Sequence, residues 1–175
     1  RAPFVTAKAE SAWSRKVETY DSSFGWRFIN PKLSAMYHPF TMGETAENVA
    51  KTWGISREVQ DAFAFNSQEK YFTAEAAGLW NDELVAVEML EDRMVSWFNK
   101  DEHPRKTSLE KLATLKPAFI KEGTVTAGNA SGRNDGGAML LIAEESAAAK
   151  AGLKPMAKII SQASIGVSPA YMGMG

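Results

Sequence analysis

The chain has 175 residues, 45% hydrophobic and 23% charged, enough for one ordinary domain with a sizeable core. Twenty Lys and Arg against 21 Asp and Glu leave a net charge of −1, which gives no support for a nucleic-acid or anionic-membrane partner. With no Cys and two His, disulfide frameworks and thiolate metal sites are excluded. No apolar run approaches the roughly 18–20 residues of a bilayer span.

The chain opens on Arg1-Ala2-Pro3, without Met and without the charged-then-apolar pattern of a secretory leader. It stops at Tyr171-Met172-Gly173-Met174-Gly175, straight after an expected buried strand. Both ends read as cuts from something longer. The glycines and prolines follow no period, so no repeat is expected.

Residues 1–40 are the least patterned. Trp13 beside Arg15, and the run PheGlyTrpArgPhe at 24–28, read as aromatic plugs of an extended arm or as anchors of a subunit-contact loop. From Thr45 the pattern becomes helical, with Glu44 and Glu47 near its start and Gly54 at its close. Ser56 is an N-cap for a longer helix from Arg57 to Ala77, closed by Gly78. Ala62, Phe65, Phe72 and Ala76 form its inner stripe.

Leu84–Met89 and Met94–Phe98 read as strands, with Glu91-Asp92-Arg93 at a hairpin turn. Thr107-Ser108-Leu109-Glu110 is a candidate capping box for a short helix facing Leu109, Leu112, Ala113 and Leu115 inward. Lys116-Pro117 stops it. Gly136–Ile142 and Ile159–Val167 read as strands buried on both faces, flanking a short helix from Glu145 to Lys150 capped by Gly152. Helices alternating with buried strands argue for an α/β fold, with residues 41–120 as a mixed insertion.

The most specific stretch is KEGTVTAGNASGRNDGGAMLL, residues 121–141. β-branched Thr124, Val125 and Thr126 lead into Ala127, Gly128, Ala130, Ser131 and Gly132, whose small side chains let a ligand or another backbone approach closely. Gly128–Gly132 is no dinucleotide fingerprint, because it lacks the strand–GxGxxG–helix setting. It is either the wall of a slot or a tight structural turn. His38 and His103 each precede a proline and read as surface or structural groups, with no second His at metal-binding spacing. Arg105, between a strand and a capped helix, could meet a phosphate through its planar fork or pair with Asp101 or Glu102.

Four segments together resemble the thiolases: MGETAENVA (42–50), ISREVQDAFAFNSQEK (55–70), DEHPRKTSLEKLATLKPAF (101–119) and GTVTAGNASGRNDGGAM (123–139). LysProMetAlaLysIleIle (154–160) and residues 166–175 continue the match in order. YDSSFGWRFINP (20–31) looks more like the degradative members. The resemblance implies a partial thiolase fold. Residues 1–120 would form a loop domain with its N-terminal arm, 121–153 the end of the N-terminal half, and 154–175 the first strand region of the C-terminal half.

It further implies that Met42, Ala118 and Phe119 line the adenine and pantetheine path of coenzyme A. Arg105 would lie near the nucleotide moiety, and Ala127 and Ser131 would face pantetheine. Thr41 and Lys111 depart from residues found there in some thiolases, His and Ser respectively, so rim contacts are expected to differ.

The family's Cys nucleophile, activating His, second Cys and oxyanion-hole Asn match nothing between 1 and 175, so no catalytic residue is expected here. The implied activity of the intact protein is acyl transfer between 3-oxoacyl-CoA and CoA, with acyl-CoA thioesters as partners and no permanently bound cofactor. A homodimer or homotetramer is implied, in the bacterial cytoplasm or in mitochondria or peroxisomes. The alternative is a non-catalytic thiolase-like acyl-CoA or lipid carrier.

Overall fold

The computed structural model describes residues 4–9, 11–22, 25–91 and 93–175. Phe24 of the aromatic run, Asp92 of the expected hairpin turn and Arg1–Pro3 lie outside them. Near the N-terminus, β1 (Phe4–Thr6) pairs antiparallel with β2 (Thr19–Asp21), Val5 opposite Tyr20. A short helix α1 (Pro31–Met36) follows, with Asn30 Oδ1 accepting from the Lys32 N–H at 2.9 Å. The arm thus holds more regular structure than its sequence suggests.

Helix α2 spans Met42–Thr52, three residues earlier than the helical pattern implied. Thr41 is its N-cap. The Thr41 Oγ1 accepts from the Glu44 N–H, while the Glu44 carboxylate accepts from the Thr41 N–H and hydroxyl, both at 2.7 Å. This reciprocal capping box fixes where the helix begins. Helix α3 (Arg57–Ala76) starts at the expected cap, Ser56.

Both helices end alike. Gly54 and Gly78 take φ of +64° and +70°, letting the Ile55 N–H reach back to Ala50 O at 2.8 Å and the Leu79 N–H to Ala74 O at 3.0 Å. Such left-handed closures favour glycine because a Cβ would crowd the backbone. Of the stripe expected on α3, Ala62, Phe65 and Phe72 are half-buried and Ala76 is exposed. The fully buried position on that helix is the carboxylate of Asp61.

Strands β3 (Val87–Glu91) and β4 (Met94–Phe98) form the expected antiparallel hairpin, Met89 opposite Ser96, although the first strand starts later than Leu84. Helix α4 (Leu109–Ala113) is capped by Ser108, whose Oγ accepts from the Lys111 N–H. Thr107 is not the cap, and with Lys111 at the third helical position the expected reciprocal box gives way to a one-sided cap. Leu112 is buried, but Leu109, Ala113 and Leu115 are exposed. Helix α5 (Glu145–Lys150) ends at Gly152 as expected, and a short 3-10 helix (Pro169–Met174) packs on α2 through an edge-on contact of Tyr171 with Trp53.

Two expectations fail. Gly136–Ile142 and Ile159–Val167 join no ladder among the described residues, and their apolar side chains are exposed, Met139 at 96% and Ile160 at 84%. Their composition suits a buried parallel strand, but no neighbouring strand among the described residues supplies pairing groups.

Candidate functional site

The chain's most buried polar residues converge on the segment 117–132. Pro117 and Thr126 form an antiparallel bridge, reinforced by the Ala118 N–H donating to Val125 O at 2.9 Å. The reversal between them places Glu122 at φ +58°. Val125 and Thr126 are thereby sunk into the core, Thr126 completely.

Two carboxylates hold this segment against the helices. Glu47, 6% exposed on the inner face of α2, accepts from the N–H groups of Thr124 and Val125, each at 2.8 Å, and from the Thr124 hydroxyl at 2.8 Å. One side chain so satisfies two backbone donors that would otherwise be buried without partners. Gln60 of α3 donates to the same Thr124 hydroxyl at 2.9 Å.

The second carboxylate, Asp61, is 4% exposed. Its Oδ2 receives the Arg57 Nε–H at 2.8 Å, one turn earlier on α3, and its Oδ1 receives Asn129 Nδ2–H at 2.9 Å. Arg57 also donates from Nη2 to Leu112 O at 2.6 Å and Leu115 O at 3.0 Å, so the guanidinium ties the end of α4 to α3. Asn129 in turn accepts the Thr126 N–H on Oδ1 at 2.7 Å and donates to Thr124 O at 3.0 Å. Two of these bonds brace the 124–130 turn from within, and the third ties it to α3.

Small residues do the rest. A Cβ on Gly128 would lie 2.5 Å from Leu112 Cδ2 and 2.6 Å from Leu115 Cδ1, so glycine lets α4 seat on the turn. A Cβ on Gly132 would lie 2.5 Å from the His103 ring, and one on Gly43 would collide with the Phe119 ring. Thus Phe119 rests on Gly43 in the first turn of α2, and His103 rests on Gly132.

The six residues singled out in the sequence each lie within two positions of one of these contacts. Phe119 packs on Gly43, the residue after Met42; Ala118 bonds Val125 two residues before Ala127, and Ser131 adjoins Gly132 under His103, two residues before Arg105. Met42, Arg105, Ala118, Ala127 and Ser131 are exposed, and Phe119 is half-buried. The Arg105 backbone N–H is fixed by Gln68 Oε1 at 2.9 Å, and among the described residues its guanidinium makes no ion pair with Asp101 or Glu102. Asp101 instead accepts from the Tyr71 hydroxyl at 3.2 Å, and burial with this bond raises the Tyr71 pKa.

His38 lies elsewhere, tilted against Phe40 with ring centroids 4.4 Å apart. Thr41 is the cap of α2. The Glu44 carboxyl is held below the usual carboxylate range by the Thr41 backbone and hydroxyl donors. Among the described residues no group of three His, Asp or Glu side chains is placed to hold a metal ion, and no helix is long and apolar enough to cross a membrane.

Sequence reasoning missed Glu47, Asp61 and Asn129 as the fasteners. Arg57 and Asp61 stand at i,i+4 on a helix, a spacing that signals an ion pair. Nothing local signals Glu47, whose partners are 77 and 78 residues away.

Residues 7–146 match the family model described as thiolase, N-terminal domain. The chain belongs to the thiolase family. It is 48% identical over its whole length to a beta-ketoadipyl-CoA thiolase of Pseudomonas putida, and 54% identical over 82% of its length to an acetyl-CoA acetyltransferase of Escherichia coli. Among solved structures, an acetyl-CoA acetyltransferase of Bacillus anthracis aligns over 98% of the chain at TM-score 0.77 and 39% identity. The human mitochondrial 3-ketoacyl-CoA thiolase aligns over 99% at 0.75 and 31%. The chain spans 44% of the length of the Pseudomonas relative and 43% of each of these two solved chains.

Proposed function

We propose that these residues form the coenzyme A-binding part of a thiolase that cleaves or condenses 3-oxoacyl-CoA through a cysteinyl acyl-enzyme. The observation that carries this reading is the turn at 123–132. It is locked by Glu47 and Asp61, yet it leaves Ala127 and Ser131 on the surface. Small exposed side chains on a rigid turn suit the wall of a narrow channel for a thin, partly apolar arm such as pantetheine. Met42, Ala118 and Phe119 supply apolar surface nearby, and the unpaired fork of Arg105 suits a nucleotide phosphate.

On this reading the loop domain runs through residue 120, residues 121–153 complete the N-terminal half, and 154–175 enter the C-terminal half. The nucleophilic Cys, the activating His and the acid–base Cys lie outside residues 1–175. The binding part orients the thioester, and those groups carry the two half-reactions. Names of relatives that carry beta-ketoadipyl-CoA and acetyl-CoA agree with a CoA thioester substrate, and the bacterial relatives suit a cytoplasmic enzyme.

The test is the reading frame that encodes these residues and the activity of its purified product. A Cys codon N-terminal and a His codon C-terminal to this stretch, with CoA-dependent thiolysis of 3-oxoacyl-CoA, is the expected result. A complete product that binds acyl-CoA or lipid but has no such Cys, and no thiolysis, would mean a carrier instead.

A further inference from the structure

We propose that Asp61 is a positioning residue for coenzyme A, acting through Asn129 on the turn that carries Ala127 and Ser131. The inference rests on the reading of that turn as a pantetheine wall. It goes beyond it by assigning the wall's placement to a buried carboxylate that touches no ligand.

Three observations combine. Asp61 is nearly inaccessible, and each of its oxygens has a directed donor, Arg57 Nε at 2.8 Å and Asn129 Nδ2 at 2.9 Å. Asn129 spends its other capacity on Thr126 and Thr124, so its side chain is both the brace inside the turn and the link to α3. Thr126, the residue just before Ala127, is fully buried. Its amide is held by Asn129 Oδ1, and its hydroxyl accepts the Gly128 N–H at 3.2 Å.

A buried carboxylate between two donors fixes more than distance. It dictates which face of the Asn129 amide points at α3, since only the NH2 side can donate to it. That in turn aims Oδ1 at the Thr126 N–H. The charge of Asp61 is balanced by Arg57, which is itself bound to the carbonyls that end α4. The position of the wall is thereby referred to two helices at once. Loosening it by even a fraction of an ångström would alter the channel without altering any group that contacts CoA.

The test uses the complete thiolase containing these residues, with CoA titrated by calorimetry and the nucleophilic thiol assayed by its rate of alkylation with iodoacetamide. Asp61→Asn removes the charge at constant volume, and the pairing Asp61→Asn with Asn129→Asp restores a hydrogen bond of reversed polarity. Asp61→Asn is expected to raise the CoA Kd about tenfold, with the alkylation rate within about twofold of wild type, and the pair is expected to recover much of the affinity. An unchanged Kd in Asp61→Asn overturns the proposal. So does a loss of both readouts that the paired variant does not reverse, because that marks a general packing role. If Asp61→Asn does not fold, a folded pair that still binds CoA as weakly as Asn129→Asp alone also overturns it. A wild-type protein that fails to bind CoA would instead defeat the functional reading itself.

Discussion

At the scale of single residues, Glu47 makes the sharpest claim. Its carboxylate, itself buried, satisfies the N–H groups of half-buried Thr124 and buried Val125. Glu47→Ala should leave both donors orphaned and cost about 1–3 kcal/mol or more in urea unfolding of the complete protein. Glu47→Gln can offer one acceptor only and should cost less. Gly128→Ala presses a methyl on Leu112 and Leu115, and should destabilise by about 1–3 kcal/mol in the same measurement.

Arg105→Ala should leave stability untouched, since the guanidinium is exposed and unpaired with Asp101 and Glu102. It should weaken CoA binding by about 1–3 kcal/mol if the guanidinium meets phosphate. An unchanged CoA affinity would remove Arg105 from the site. These residues divide by legibility. Gly128 and Ser131 stood out because clustered small residues are rare in a helix or strand. Glu47 looked like an ordinary first-turn charge, because its partners are distant in sequence.

At the scale of elements, local chemistry set most boundaries. Ser56, Gly54, Gly78 and Gly152 could be read as caps because each satisfies orphan groups within a few residues. Thr41 and Glu44 have the spacing of a capping box, and that box starts α2 three residues ahead of its helical pattern. That box gives a pH prediction. The Glu44 carboxyl has a lowered pKa in the fold, so its stabilisation of α2 is fully present above the unfolded value of about 4.3. It is lost as pH falls through the lower folded value.

Amide protection at the start of α2, taken relative to the intrinsic exchange rate at each pH, should therefore fall below about pH 4.3 and stay flat between neutrality and that point. Glu44→Gln should remove the acid step. An acid step of equal size in Glu44→Gln would assign it to another group. The strands at 136–142 and 159–167 went the other way, because an apolar run records what a segment would bury and not whether a neighbour is present. Pairing partners are non-local, and composition does not contain them.

At the scale of the whole molecule, two features coexist. A small core joins α2, α3, α4 and the 117–132 turn, while Met139, Leu140, Ile159 and Ile160 stand in solvent. Residues 1–175 produced alone should bind a hydrophobic dye and self-associate on size exclusion, with no cooperative melt and no thiolysis. A sharp melt of a monodisperse monomer would contradict that. The chain spans under half the length of its relatives, so the fold class was legible through motif order, whereas the sheet that would cover these runs was not.

Coenzyme A is expected to lie along the wall formed by the locked turn and its neighbours. The most direct measurement is a crystal structure of the complete protein with CoA bound. It should show pantetheine passing Ala127 and Ser131, with Met42 and Phe119 alongside and the Arg105 guanidinium within hydrogen-bond reach of a phosphate. CoA bound elsewhere, with the 123–132 turn bare, would rule this wall out.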